Sequence, residues 1–248
     1  MAALAILLTD RNAIRAKPEP RADVVVLERT FYDPPRRAAT VRWVAEVRQT
    51  FPNAELVPMA WHLVSHGPED GVRERVTRTL PGPPHLFGAL QDSAETRNAW
   101  EITMQCVEAC EAKQLLVRTG TTVSPGALGR KRLRELVASR RSDAMQIVWE
   151  PGGLWTTEDA LAFAKELQVP VVLPAFEGGR PRYVDDEGAV LVSRDAWLRV
   201  EGTGPRDAVA GGMIDALLDH VAEAPETTLL FTGPRALASL RAVADAML

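Results

Sequence analysis

Glu28, His62, His66, Glu150 and Glu201 lie at or just past the ends of apolar runs. Carboxylate oxygens and imidazole nitrogens delivered by separate strands are the ligand types of a divalent cation such as Mn²⁺, Mg²⁺ or Zn²⁺. Two arginines, Arg118 and Arg199, also fall at such ends. A guanidinium forks onto a carboxylate or phosphate through two parallel hydrogen bonds. Two chemistries therefore compete for one rim. In one, Glu28, His62, Glu150 and Glu201 hold a metal, and Glu150, Glu201 or His66 acts as catalytic base or acid. In the other, Arg118, Arg199 and His66 form an anion pocket, and the arginines neutralise Glu150 and Glu201. The second is the expectation taken forward, without a cofactor, because strand positions alone do not bring ligands to a single ion. Thr30, Tyr32, Trp61 and Trp155 complete the expected ligand-binding set, together with Glu28, as polar and aromatic groups near strand ends. Aromatic residues at such places serve equally well as upper core.

Other chemistry-bearing residues read more simply. Cys106 and Cys110 are four apart on a helical pattern without a Cys-x-x-Cys pair, which favours packing over metal binding. Arg130–Arg134 with Arg140-Arg141 reads as a solvated helix face rather than a phosphate-binding one. His220 reads as a helix-face residue. No P-loop, Gly-x-Gly-x-x-Gly, Gly-x-Ser-x-Gly or His-Glu-x-x-His stretch occurs.

The elements that must position these groups centre on Met145–Trp155. Ile147-Val148-Trp149 is a short apolar run that ends in Glu150 and breaks at Pro151-Gly152-Gly153. A buried parallel strand delivers a polar side chain to the rim of an α/β barrel in this way. The same grammar recurs. Strands are expected at Ala2–Leu8, Asp23–Tyr32, Glu55–His66, Gln114–Thr119, Met145–Glu150, Val169–Phe176, Ala196–Glu201 and Thr227–Phe231. Helices are expected over Arg37–Thr50, Asp92–Lys113 (capped near Ser93), from Ser124-Pro125 to Arg141, and over Thr156–Gln168, Asp207–Ala224 and Pro234–Leu248. Pro58 inside the third strand predicts a bulge or early end. Thr9–Asp23 and Gly67–Pro84 read as connections. Arg182–Val192 reads as a small hairpin between strands six and seven, turned at Asp185-Asp186-Glu187-Gly188. Strands alternating with amphipathic helices predict right-handed parallel crossovers, and eight of them predict a closed TIM-type (β/α)8 barrel with an irregular first unit.

The bulk properties agree with this reading. The 248 residues match one eight-stranded barrel, so a single domain over 1–248 is expected. Hydrophobic residues at 46% and charged residues at 25% suit a globular core. A net charge of -4 argues against sequence-independent nucleic-acid binding. Two cysteines form no disulfide framework, and Ala2–Leu8 is too short to span a bilayer. A cytoplasmic protein with no membrane partner is the expectation.

Taken together, the runs TFYDPPRRAATVRWVAE (Thr30–Glu46), AWHLVSH (Ala60–His66), FGALQDSAETRNAWEIT (Phe87–Thr103) and VWEPGGLW (Val148–Trp155) resemble the YecE-like family, domain of unknown function 72. The resemblance keeps motif order over residues 24–248 and implies a TIM barrel. It also implies departures at the rim. Met59 stands where the family tends to have lysine, Arg118 where it has glutamine, and Gly152 where it has arginine. Leu173–Pro174 replaces an aspartate, Arg199-Val200-Glu201-Gly202 an Arg-Leu-His-Gly run, and Thr232-Gly233 an asparagine pair. Fold residues kept and rim polars changed imply a divergent member that binds a small anionic ligand or a protein partner at the C-terminal rim and leave open whether it is catalytic. A metal-assisted hydrolase or isomerase acting on a phosphate ester or sugar is the alternative. A protein-binding adaptor using the outer helices is a third.

Overall fold

The computed structural model describes residues 2–9, 21–75, 77, 79–80, 82–140, 144–183, 196–204 and 206–248. In chain order the elements are β1 (Ala3–Leu8), β2 (Val24–Leu27), α1 (Glu28–Tyr32), α2 (Arg37–Thr50), β3 (Glu55–Pro58), α3 (His62–Ser65), α4 (Ala94–Cys110), β4 (Gln114–Arg118), α5 (Ala127–Arg140), β5 (Gln146–Glu150) and α6 (Thr157–Leu167). They continue with β6 (Val172–Pro174), β7 (Phe176–Glu177), β8 (Arg180–Pro181), β9 (Trp197–Val200), α7 (Gly212–Glu223), β10 (Thr228–Phe231) and α8 (Ala236–Ala246). The chain packs as two compact units: Met1–Val26, Val47–Glu55 and Val172–Leu248, and then Leu27–Glu46 and Leu56–Val171. Among the described residues, no helix is long and apolar enough to cross a membrane.

In the first unit the strand order is β2-β1-β10-β9-β6. The pairs β1–β10, β10–β9 and β9–β6 are parallel. Leu4–Leu8 and all of β10 are buried, as expected of parallel strands covered on both faces. α8 turns Ala236, Ser239, Leu240, Val243 and Ala244 inward, one face at helical spacing. β7 and β8 form a short antiparallel ladder turned at Gly178-Gly179, where φ of 57° and 80° suits glycine. The hairpin expected at Arg182–Val192 lies mostly outside the described residues.

In the second unit β4 and β5 pair in parallel from Gln114↔Gln146 to Arg118↔Glu150. Met59 just past β3 meets β4 through a single bridge to Leu116, and Trp149 of β5 meets Val171 through another. Pro58 and Pro170 sit beside these bridges and have no N–H to donate. The continuous eight-strand ladder expected from the sequence is therefore not formed among the described residues.

Two strands are shorter than the sequence suggests, and each gives way to a helical turn. The strand expected over Asp23–Tyr32 stops at Leu27, where the Thr30 hydroxyl reaches the Leu27 carbonyl at 2.8 Å and closes the α1 turn. The strand expected over Glu55–His66 stops at Pro58, and His62–Ser65 turn helical with His66 N–H on the His62 carbonyl at 2.7 Å. The helix caps follow the sequence signals closely. Ser93 accepts from Thr96 N at 3.0 Å to start α4, and Thr156 accepts from Asp159 N at 3.1 Å to start α6.

Candidate functional site

Register builds the centre of the site. Because β4 and β5 run parallel with Arg118 opposite Glu150, both side chains leave at the strand ends, and Arg118 Nε donates to Glu150 Oε2 at 2.8 Å. Glu150 keeps 4% of its side chain exposed and Arg118 22%. Burial opposes the guanidinium charge, yet the Glu150 carboxylate, with Tyr32 and Glu28 further off, raises Arg118 above its usual pKa. The strand can end this sharply because Gly152 lies against the neighbouring loop. A Cβ there would stand 2.2 Å from the Thr119 carbonyl oxygen. Thr119 N–H in turn donates to the Glu150 carbonyl at 2.9 Å.

Phe31 is the ring around which the other groups gather. It is delivered by α1, whose Thr30 hydroxyl accepts from Met59 N–H at 2.7 Å and so ties the turn to the end of β3. The Arg118 guanidinium stands 5.3 Å from the Phe31 centroid, and the His66, Tyr32 and His62 rings stand edge-on to it at 5.0, 4.8 and 5.7 Å. Arg75 lies over the Tyr32 ring at 3.5 Å.

α3 places two imidazoles one turn apart. His62 Nδ1 donates to the Phe31 carbonyl at 2.8 Å, which leaves the buried Nε2 without a hydrogen-bond partner among the described residues. Ser65 Oγ donates to the Arg118 carbonyl at 2.6 Å and sits 2.9 Å from His66 Nδ1. Burial holds both imidazoles at pKa values of about 4, against an ordinary 6.5. Both rings are therefore neutral near pH 7.

The excursion after His66 is stitched down by polar groups. Asp70 accepts from Gly67 N–H at 2.7 Å and Thr121 N–H at 2.8 Å, and from the Thr121 hydroxyl. Burial works against its charge, but these donors hold the Asp70 carboxyl below the usual carboxylate range. Arg73 donates to the Pro84, Phe87 and His66 carbonyls.

The remaining expected site residues divide among other roles. Trp61 is buried and gives its indole N–H to the Tyr32 carbonyl at 3.2 Å. Trp155 stacks on Phe163 at 5.3 Å and donates to the Val123 carbonyl at 2.7 Å. Glu28 is partly buried at the start of α1. Thr30 is buried, its hydroxyl held between the Leu27 carbonyl and the Met59 backbone. In the first unit, Arg199 Nε lies 4.0 Å from Glu201 Oε1, and the Thr232 hydroxyl donates to the same oxygen at 2.5 Å. Arg199 and Glu201 line a cavity of about 140 Å³ beside Pro174, Phe176 and Met213. Among the described residues, no three His, Cys, Asp or Glu side chains gather so as to hold a metal ion.

Sequence reasoning missed Phe31, Ser65, Asp70 and Arg73. Two signals were available. Ser65 precedes His66 directly, and Pro68-Glu69-Asp70-Gly71 has turn chemistry inside an otherwise irregular stretch. The remaining residues singled out have structural partners. Arg130 pairs with Asp159 and Arg134 with Glu166, Cys106 and Cys110 are buried, and His220 is buried with Nε2 3.2 Å from Thr227 Oγ1. Arg141 lies outside the described residues.

No family model matches the sequence, and no curated protein matches it. Solved structures do. A DUF72 family protein of Enterococcus faecalis superposes with a TM-score of 0.61 at 14% identity, over 100% of this chain and 98% of its own. The chain has the fold of DUF72 proteins. A second one, from Thermotoga maritima, gives a TM-score of 0.55 at 15% identity over 91% of this chain and 84% of its own. D-psicose 3-epimerase, solved in the presence of D-fructose, gives 0.51 at 13% identity over 96% and 89%. The fold class is accordingly α/β of the TIM type. Three of the departures from the DUF72 pattern now have a place. Met59 is tied by its backbone to Thr30, Arg118 is paired with Glu150, and Gly152 is packed on Thr119.

Proposed function

We propose that this chain binds a small anionic ligand, a carboxylate or phosphate, at Arg118. One observation carries the reading. Arg118 uses Nε for Glu150, while its two Nη groups make no hydrogen bond among the described residues and part of the side chain stays exposed. Half of the guanidinium fork is thus unused, and that half suits a planar pair of anionic oxygens. The neutral imidazole of His66 adds a polar edge without adding charge. The single positive charge of Arg118 neutralises the carboxylate beneath it, so a second anion approaching the unused edge meets a net-neutral pair. The epimerase likeness keeps the metal-assisted isomerase reading as the rival, and it calls for Glu150 as a ligand or base instead of an ion-pair partner.

Thermal unfolding separates the two. Sulfate or phosphate should raise the melting temperature of the wild type by mass action, and Arg118→Gln should abolish that increment whatever its own starting stability. A Mn²⁺- or Mg²⁺-dependent increment that disappears in Glu150→Gln would overturn the anion reading and favour metal chemistry.

A further inference from the structure

Between α4 and α5 the second unit holds a cleft of about 480 Å³, a size typical of small-molecule sites. None of its lining residues belongs to the Arg118 cluster. Its floor is apolar: Val64 and Leu90 are buried, and the Trp100 indole keeps only 4% exposed. Its charges fall into two sets. Asp92 pairs with Arg97, and Glu135 with Lys131 at 3.8 Å, so these largely cancel. Arg132 and Arg140 have no carboxylate partner among the described residues. Arg132 gives one N–H to the Ala89 carbonyl at 3.1 Å, and the Arg140 guanidinium stands 5.0 Å from the Trp100 ring.

The wall is held in a costly shape. Gly88, Ala89 and Leu90 take successive φ values of 82°, 53° and 53°. Non-glycine residues are strained in the left-handed region and persist there only where the surroundings fix them. Here the fixing bonds are Arg132 to Ala89 and the Leu90 N–H to the Val64 carbonyl at 3.0 Å. The strained turn therefore puts Leu90 on the floor and leaves Arg132 beside it with unused N–H groups. An apolar aromatic floor edged by two unneutralised guanidinium groups suits a flat body that carries acid, since guanidinium binds both the acid oxygens and an aromatic face.

We propose that the α4–α5 cleft is a second binding site, for a small amphiphilic anion. Its apolar body rests on Trp100 and Leu90, and its carboxylate, sulfonate or phosphate is held by Arg132 and Arg140. The test is calorimetric titration of the full chain with 2-naphthoate, with uncharged 2-naphthalenemethanol and inorganic phosphate as controls. Saturable binding of naphthoate is expected, reduced to one-to-one stoichiometry in Arg118→Gln, with both controls weaker by about tenfold or more in that background. The double variant R132Q/R140Q should lose about tenfold in affinity. Ser139→Trp, which puts a bulky ring at an exposed lining position and leaves both arginines in the sequence, should abolish binding. Arg118→Gln should leave naphthoate affinity unchanged, which keeps this site separate from the one proposed above. Absence of saturable binding, affinity unaltered in folded R132Q/R140Q and Ser139→Trp, or loss of binding in Arg118→Gln would overturn the proposal.

Discussion

Replacing Glu150 by leucine tests how Arg118 and Glu150 are held. The substitution removes the carboxylate from a position with 4% of the side chain exposed and leaves a guanidinium with 22% exposed and its inward Nε–H unpaired. Removing one partner of a buried ion pair costs about 3–5 kcal/mol. The low end, about 3 kcal/mol, applies because 22% of the Arg118 side chain stays exposed. In a chain of this size each kcal/mol moves the melting temperature by about 2–4 °C, so a fall of roughly 6–12 °C is expected. The double variant Arg118→Met/Glu150→Leu should recover most of that loss, since two apolar groups leave no orphaned charge. Urea unfolding of the four proteins measures the cycle. Glu150→Leu should also increase the stabilisation by phosphate, because the competing carboxylate is gone. A Glu150→Leu cost below about 0.5 kcal/mol, or single losses that simply add in the double variant, would refute a buried, coupled pair.

Three further outcomes follow from local geometry. His62 and His66 take up protons at about 4 in the folded chain, against the ordinary 6.5 expected of the unfolded chain. The unfolded state binds more protons between those values, so stability falls as pH drops from about 6.5 towards 4, by on the order of 3 kcal/mol per histidine. His62→Asn, which retains a donor for the Phe31 carbonyl, should remove about half of that dependence in denaturant titrations at pH 7 and pH 4.5, and an unchanged slope would count against it. Thr30→Val takes away the acceptor of the buried Met59 N–H and should cost about 1–3 kcal/mol, whereas an unchanged urea midpoint would show the hydroxyl to be dispensable. Gly152→Arg restores the residue expected from the YecE-like pattern, but its Cβ would stand 2.2 Å from the Thr119 carbonyl oxygen. It should destabilise by about 1–3 kcal/mol or more, and a melting temperature equal to wild type would mean the loop moves freely.

The repeating elements were legible because their signals are local. β5 ends at Glu150 where the Pro-Gly-Gly break said it would, and Ser93 and Thr156 cap their helices as their positions suggest. The rim was less legible. Apolar runs leading into Glu28 and His62 read as continuing strands, yet Thr30 bonds back to the Leu27 carbonyl, and Pro58 cannot extend a ladder. Both turns swing their side chains away from the extended positions a strand would give them. The Arg118–Glu150 pair was anticipated as neutralisation, but only the β4–β5 register makes it a contact. Asp70 and Phe31 acquire their roles from chain segments far apart in sequence, and no local pattern marks such roles.

The most direct test of anion binding at Arg118 is a crystal grown with selenate in place of sulfate and measured at the selenium edge. An anomalous peak is expected within hydrogen-bonding reach of the Arg118 Nη atoms, lost in Arg118→Gln crystals. A protein in which that position stays empty while Mn²⁺ binds at Glu150 would contradict it.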